Sequence, residues 1–291
     1  MCGDDTRLHK ILGQRLNASQ GKRPKRKSGI TVGVKQCTKC KLIYSSPQPV
    51  PFDIQDHYGI PPEKYWHPGY FDMSSEYFSK EIEEAKQKLN FQKGMKVLDI
   101  GAGIGKGMIA LEKAGFDVLG FEPSVPFHER AILKMGVDPA RIKLGMIENV
   151  DYEENAFDFI TFGAVFEHLY HPAASLQKAL KWLKPNGIIH IEVPSSKYFA
   201  AKFANTIYRI MGTNYVTNLS PMHDPFHLYE FSEKSFKELG KKLHFKIDSA
   251  QYFEGEVMLF PKIFHGLLKW YMKLTKTGMQ LVVWLKKEET N

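Results

Sequence analysis

Cysteine is scarce in this chain, with three among 291 residues, too few for a disulfide framework. Two of them stand as Cys37-Thr38-Lys39-Cys40, a spacing that suits metal or redox chemistry in a reducing compartment. No uncharged apolar run reaches the roughly 20 residues that a membrane-spanning helix needs. The first residues, Met-Cys-Gly-Asp-Asp, lack the apolar stretch of a signal peptide, so a cytoplasmic location is expected. Internal repeats are absent, which excludes solenoids and propellers. With 43% hydrophobic residues, the composition is that of an ordinary folded chain rather than a disordered one.

Charge is unevenly spread. The formal net charge is +8, yet Met1 to Lys41 alone hold eleven Lys and Arg against two Asp, so the remainder is close to neutral. The run Lys22, Arg23, Pro24, Lys25, Arg26, Lys27 has no stacking aromatics or nucleic-acid motif beside it and reads as a solvated basic loop; no nucleic-acid partner is expected. Acidic residues are missing from Val257 to Lys287, where Lys262, Lys269, Lys273 and Lys276 recur opposite Phe264, Leu267, Leu268, Tyr271 and Leu274. That is the pattern of a basic amphipathic helix, suited either to peripheral contact with an anionic membrane or to packing on the core or a second subunit.

What is present is a rhythm. Residues 1–55 read as a loop-rich basic appendage ending in a Pro-dense linker, and Ser75 to Leu89 as a helix capped by Ser74 or Ser75. Strands are then expected at Met95–Ile100, Asp117–Phe121, Ile142–Ile147, Phe157–Gly163 and Ile188–Val193, with helices at Lys106–Ala114, Pro126–Met135 and Ala173–Leu183. Such βα repetition implies a doubly wound, mostly parallel α/β sheet. Residues 195–231 break it as an insertion over the active site. A helix at Ser232–Lys242 follows, then strands at His244–Tyr252 and Glu256–Phe260 forming an antiparallel close. The core domain would thus cover 56–260, and 261–291 would be a basic amphipathic tail.

The most informative stretch is Val97-Leu98-Asp99-Ile100-Gly101-Ala102-Gly103-Ile104-Gly105, at the end of the first core strand. Glycines at alternate positions let the backbone turn tightly and let a ligand approach where a Cβ would intrude. Dinucleotide folds favour Gly-x-Gly-x-x-Gly; here Lys106 stands where the third glycine would be. Asp99 would repel a pyrophosphate but attract an ammonium, which favours S-adenosylmethionine over NAD. Glu122 ends the second strand, seventeen positions after Gly105, where a carboxylate can accept hydrogen bonds from both ribose hydroxyls.

On these residues the segment from about Gly94 to Phe260 resembles the class I S-adenosylmethionine-dependent methyltransferase family. VLDIGAGIG at 97–105, GFEPS at 120–124, FDFITFGAVFEHLYHP at 157–172 and LKPNG at 183–187 carry the likeness. It implies a seven-stranded Rossmann-like sheet with an antiparallel last strand. It also implies a cofactor-binding set: Asp99, Gly101, Ala102, Gly103 and Gly105 for the methionine portion, Glu122 and Pro123 for the ribose, Ile147 and Glu148 beside the adenine, and Gly163. Members often have Asp where Met146 stands.

Strand four runs into Glu167 and His168, beyond the carboxyl ends of the strands where ligands sit. Some related methyltransferases bind a metal through Glu-x-x-Glu-His there, but Ala164 replaces the first Glu, so no catalytic metal is expected. The insertion holds His223 and His227, which, like His168, can deprotonate a substrate hydroxyl or serve structurally. At the N-terminus, Cys37 and Cys40 resemble the second half of a zinc knuckle found before some family members. Its first pair is reduced to Cys2-Gly3, with His9 as a candidate fourth ligand; the competing reading is a metal-free remnant.

The function expected is O-methylation of a small-molecule acceptor such as a sugar, lipid-linked saccharide or quinol, with S-adenosylhomocysteine as product. The rivals are a non-catalytic methyltransferase-like scaffold and an NAD-dependent oxidoreductase.

Overall fold

The structure, a computed structural model, describes residues 1–18, 29–48, 68–218, 227–255, 257 and 260–288. The basic run at 22–27 lies outside these residues. The expected alternation is found: β4 (Lys96–Ile100), α2 (Lys106–Lys113), β5 (Asp117–Glu122), α3 (Val125–Leu133), β6 (Ile142–Leu144), β7 (Phe157–Gly163), α4 (Pro172–Trp182) and β8 (Leu183–Pro194). The helix that precedes them, α1, spans Ser79–Leu89. Ahead of it lie β1 (Lys10–Ala18), β2 (Gly29–Gln36) and β3 (Ile43–Ser46); after it come α5 (Phe199–Ile210), β9 (Tyr229–Glu230), α6 (Glu233–Leu243), β10 (Phe245–Phe253), α7 (His265–Thr275) and β11 (Gln280–Lys287).

Seven strands form the main sheet in the order β10-β11-β8-β7-β4-β5-β6. β4 pairs in parallel with β5 and with β7, placing Asp99 beside Gly120 on one side and Thr161 on the other. A strand flanked by two parallel neighbours and covered by helices is apolar on both faces; accordingly Val97, Leu98 and Ile100 are buried. The sheet is mostly parallel and ends in an antiparallel pair. By contacts the chain forms two compact units, one from residues 1–50, 166–172 and 192–283, the other from 51–165, 173–191 and 284–291.

Local chemistry explains several element ends. Ser232 caps α6 by accepting the Ser235 N–H at 3.2 Å, while Ser235 Oγ accepts the Ser232 N–H at 3.0 Å, a reciprocal arrangement that satisfies two otherwise orphaned donors. Ser124 caps α3 through the Phe127 N–H at 3.4 Å, with Pro126 in the first turn, where its missing N–H costs nothing.

Three expectations are corrected. The N-terminal segment is a sheet rather than loops: β1, β2, β3 and β9 pair in that order, because Val32 and Val34 are buried at alternate positions of β2 and Val34 packs with Ile43 and Val216 in one core cluster. α1 begins at Ser79 behind a left-handed Phe78 instead of a serine cap, and Ser74 Oγ accepts the Glu76 N–H at 3.1 Å. Within 195–231, which the rhythm marks as an insertion, lies a helix, α5, whose Ala200, Ala201 and Ala204 are buried; this adds to that reading and does not correct it.

Of the span Glu256–Phe260, expected to be the last strand, only Val257 and Phe260 are described, and neither is in a strand. The last strand is β11, inside the presumed tail and inserted between β10 and β8. The five consecutive buried residues Leu281 to Leu285 suit a strand covered on both faces, a signal masked by the basic residues around it. Trp284 is fully buried and stacks on Phe159 at 5.7 Å between centroids. Trp284→Ala should therefore lower unfolding free energy by about 3–5 kcal/mol, measured by denaturant titration; a change as small as that of a surface residue would show β11 to be a dispensable tail.

Candidate active site

Between β4 and α2 the chain turns through Gly101 to Gly105. The N–H groups of Gly101 and Ala102 both donate to the Phe121 carbonyl, at 2.9 and 3.0 Å, tying the turn to the end of β5. Packing accounts for two of the glycines: a Cβ on Gly101 would lie 2.6 Å from Val165, and one on Gly105 would lie 2.5 Å from Val137. Gly103 is different. Its φ is +57°, and among the described residues a Cβ there would find only Phe127 within reach, at 3.9 Å. The described residues thus leave the backbone at Gly103 open, as a cradle for a ligand requires. They likewise leave space beside Gly163, at the end of β7.

Two carboxylates border this turn. Asp99 is 7% exposed and Glu122 5%. Glu122 accepts the Gly103 N–H at 2.8 Å through Oε2 and the Ser124 N–H at 2.9 Å through Oε1. Asp99 lies against the first turn of α2, where a Cβ on Gly107 would come within 2.8 Å of its Oδ2. Burial raises the Asp99 carboxyl to about 7, with the Glu122 charge adding to the rise. Burial likewise raises Glu122 to about 7, against the pull of the two N–H donors. Removing two like charges from water is costly unless a cation neutralises them, so a positively charged ligand would favour their ionised forms. Lys106 does not supply that charge, since its Nζ sits 4.5 Å over the Tyr77 ring.

The remaining cofactor candidates gather unequally. Ala102 is buried in the turn and Pro123 is half-buried after Glu122. The Gly145 N–H donates to the Glu122 carbonyl at 3.0 Å, anchoring the loop that carries Met146, Ile147 and Glu148 to the end of β5. Ile147 is buried, Met146 half-buried and Glu148 exposed, so Ile147 can offer an apolar surface while the Glu148 side chain faces water. Gly107 was not singled out from the sequence. Its signal was there, because the alternate glycines at 101, 103 and 105 continue to 107, and the close approach of Asp99 is the reason.

In the other compact unit a short turn, Phe166–His168, carries the histidine site. The Leu228 N–H donates to the Glu167 carbonyl at 2.8 Å, which draws His227 next to His168; their rings meet edge to face at 4.6 Å. Nε2 of each histidine lies 4.0 Å from Glu167 Oε1. Glu167 is buried, and its Oε2 has no hydrogen-bond partner among the described residues. Burial raises its carboxyl to about 8, with Glu192 adding to the rise. Such a cluster can accept and hold a proton, and its three donor atoms, within 4.8 Å of one another, are also spaced to hold a metal ion. His223 lies outside the described residues.

Comparison with known proteins gives the family and the fold. The family described as "methyltransferase domain" matches residues 73–250, well over half of the chain. The chain belongs to this family, within the class I S-adenosylmethionine-dependent methyltransferases. Among curated relatives, the ubiquinone biosynthesis O-methyltransferase of Bradyrhizobium diazoefficiens is 27% identical over 49% of this chain and 54% of its own length. Phosphoethanolamine N-methyltransferase 1 of Arabidopsis thaliana is 33% identical over 43% of this chain and 26% of its own. The chain thus spans about half the length of the first of these and a quarter of the second.

Among solved structures, the 1,6-didemethyltoxoflavin-N1-methyltransferase of Burkholderia thailandensis has a TM-score of 0.54 at 15% identity, covering 94% of this chain and 99% of its own. The YcgJ protein of Bacillus subtilis has a TM-score of 0.51 at 14% identity, covering 75% and 100%. These likenesses show the fold.

Because the folded values of Asp99 and Glu122 lie above the ordinary carboxylate range, the folded chain holds more protons than the unfolded one between about pH 4 and 7. Stability without ligand should therefore fall as pH rises through that window. A cationic ligand favours the ionised forms, so the rise in Tm on adding S-adenosylmethionine should grow between about pH 5.5 and 7.5. A thermal-shift series across pH checks this, and a ligand effect that is flat or shrinks with pH would refute the electrostatic reading. Separately, Gly103→Val should cost about 1–2 kcal/mol for the left-handed backbone and abolish cofactor binding in calorimetry while the fold persists.

Proposed function

We propose that this chain transfers a methyl group from S-adenosylmethionine to a hydroxyl oxygen of a small acceptor carried at an anionic membrane surface, such as a lipid-linked saccharide or a quinol. The observation that carries the transfer is the space that the described residues leave over Gly103, in a turn bordered by two buried carboxyl groups that a cation would ionise. In this reading Asp99, Gly101, Ala102, Gly103 and Gly105 would hold the methionine portion, Glu122 and Pro123 the ribose, Ile147 and Glu148 the adenine side, and Gly163 would leave room beside them. Bound S-adenosylmethionine supplies a methyl already activated on a sulfonium. The protein's share is placement, charge neutralisation and removal of the acceptor proton.

The cluster of Glu167, His168 and His227 supports an oxygen acceptor. A hydroxyl attacks well only as its proton leaves, whereas a free amine attacks with its lone pair, and imidazole is suited to taking that proton near neutrality. The two curated relatives differ on this very atom, one named for O-methylation and the other for N-methylation; the paired imidazoles favour the former. His223 belongs to the same proposal by its place in the sequence.

α7 supports the membrane location. Leu267, Trp270 and Leu274 are exposed on it, with Ile263 85% exposed just before it. Lys262, Lys269, Lys273 and Lys276 are exposed beside them. Met272 turns inward and joins Tyr198, Ala200 and Ala201 of the α5 region in one buried cluster, so α7 is held with these apolar residues outward. Apolar residues and a Trp flanked by lysines match the acyl boundary and anionic headgroups of a bilayer. No helix among the described residues is long and apolar enough to cross one.

The test uses radiolabelled S-adenosylmethionine with quinol and lipid-extract acceptors. His168→Ala and His227→Ala should each lower kcat by about 10²-fold with little change in cofactor affinity. Label on a nitrogen, cofactor binding without turnover, or binding of NADH in place of S-adenosylmethionine would each overturn the reading. Flotation with phosphatidylglycerol vesicles should retain the protein, and Trp270→Glu should release it. Failure to float, or dimerisation through this face, would remove the membrane from the proposal.

A further inference from the structure

Far along the chain from the methyltransferase site, three thiols meet. Cys37 and Cys40 flank the turn between β2 and β3 and are 2% and 1% exposed. Cys2 Sγ lies 3.4 Å from Cys37 Sγ, and none of the three cysteines is in a disulfide. All three sulfurs lie within 4.8 Å of one another. Sulfurs bound to a tetrahedral zinc at about 2.3 Å stand about 3.8 Å apart, close to this arrangement. The Cys40 N–H points to Cys37 Sγ at 3.4 Å, a donor that steadies charge on sulfur.

A second group stands on the same sulfur. Asp4 Oδ2 is 3.7 Å from Cys37 Sγ, and His9 Nε2 is 3.6 Å from Asp4 Oδ2. The His9 side chain is 6% exposed, its Nδ1 is held by the Tyr44 hydroxyl at 2.7 Å, and its Nε2 is buried with no hydrogen-bond partner among the described residues. An imidazole oriented through one nitrogen and left unsatisfied at the other is the usual state of a metal-ligating histidine before the metal is added. Buried polar atoms are nearly always satisfied, so this nitrogen calls for a partner.

We propose that Cys2, Cys37 and Cys40 bind one zinc ion as thiolates, with the fourth ligand supplied by the Asp4–His9 pair. Binding releases the three thiol protons to solvent. The site is closed by protein groups and therefore structural. It fastens the N-terminal segment to the β2–β3 turn, which is itself joined to α6: Ser232 Oγ donates to the Cys40 carbonyl at 3.1 Å, and Lys39 pairs with Glu238 at 3.7 Å.

The experiment is metal analysis of the purified full chain, paired with cobalt substitution. One zinc per chain is expected, with cobalt giving the intense sulfur-to-metal charge-transfer band of a tetrahedral thiolate site. Cys2→Ser, at the half-buried member of the three, should weaken that band by about a third. Asp4→Ala combined with His9→Ala should lower zinc affinity while leaving the band. Chelation should lower Tm, and added zinc should restore it. A metal-free chain that takes up neither ion, or one with a disulfide joining Cys2 to Cys37, would overturn the site; unchanged affinity in the Asp4/His9 double variant would overturn the fourth ligand.

Discussion

Two carboxyl groups, at the ends of adjacent parallel strands, are withdrawn from water beside a backbone turn that has no side chain at its apex. That constraint organises the cofactor half of the molecule. Neither Asp99 nor Glu122 ionises comfortably there without a counter-charge, and nearby Lys106 is turned aside over Tyr77. A protein selected only for stability would place apolar residues at both positions. In the proposed reading the two acids would favour a cation over a phosphate, unlike the dinucleotide sites that use the same strand-turn-helix geometry.

The supporting structure follows from the same constraint. Glu122 is held by two backbone N–H groups, one of them from Gly103 itself, so the turn and the acid are positioned by one another. Asp99 needs Gly107 because α2 starts close against it. The paired strands β4, β5 and β7 place these ends side by side through an unbroken parallel register. In the other unit, the Leu228–Glu167 backbone bond brings together histidines that lie 59 positions apart in the chain. Each polar cluster thus depends on hydrogen bonds from backbone at element ends, where donors are otherwise unsatisfied.

The legibility of these features varied with their range. Phe157–Gly163 was read at its observed bounds, and β4, α2, β5 and α6 within about two residues, because apolar periodicity and caps are local signals. β11 was misread as tail, since a short apolar run among lysines does not reveal that both of its faces will be covered. The N-terminal sheet was misread as loops for a related reason: its strands are completed by β9, which lies far away in the sequence. Gly107 escaped notice because its role depends on where the Asp99 carboxyl lands.

By itself, the sequence determined the βα order, the glycine turn with its two acids and the cofactor class, because spacing along one strand-turn-helix unit dictates which groups share a loop. Only the tertiary structure decided that Glu167 stands between two histidines, that Cys2 reaches Cys37 and Cys40, and that the sheet ends in β11. Those relations arise from contacts between segments tens to hundreds of residues apart. They are set by which apolar faces are buried together, and no local pattern encodes that.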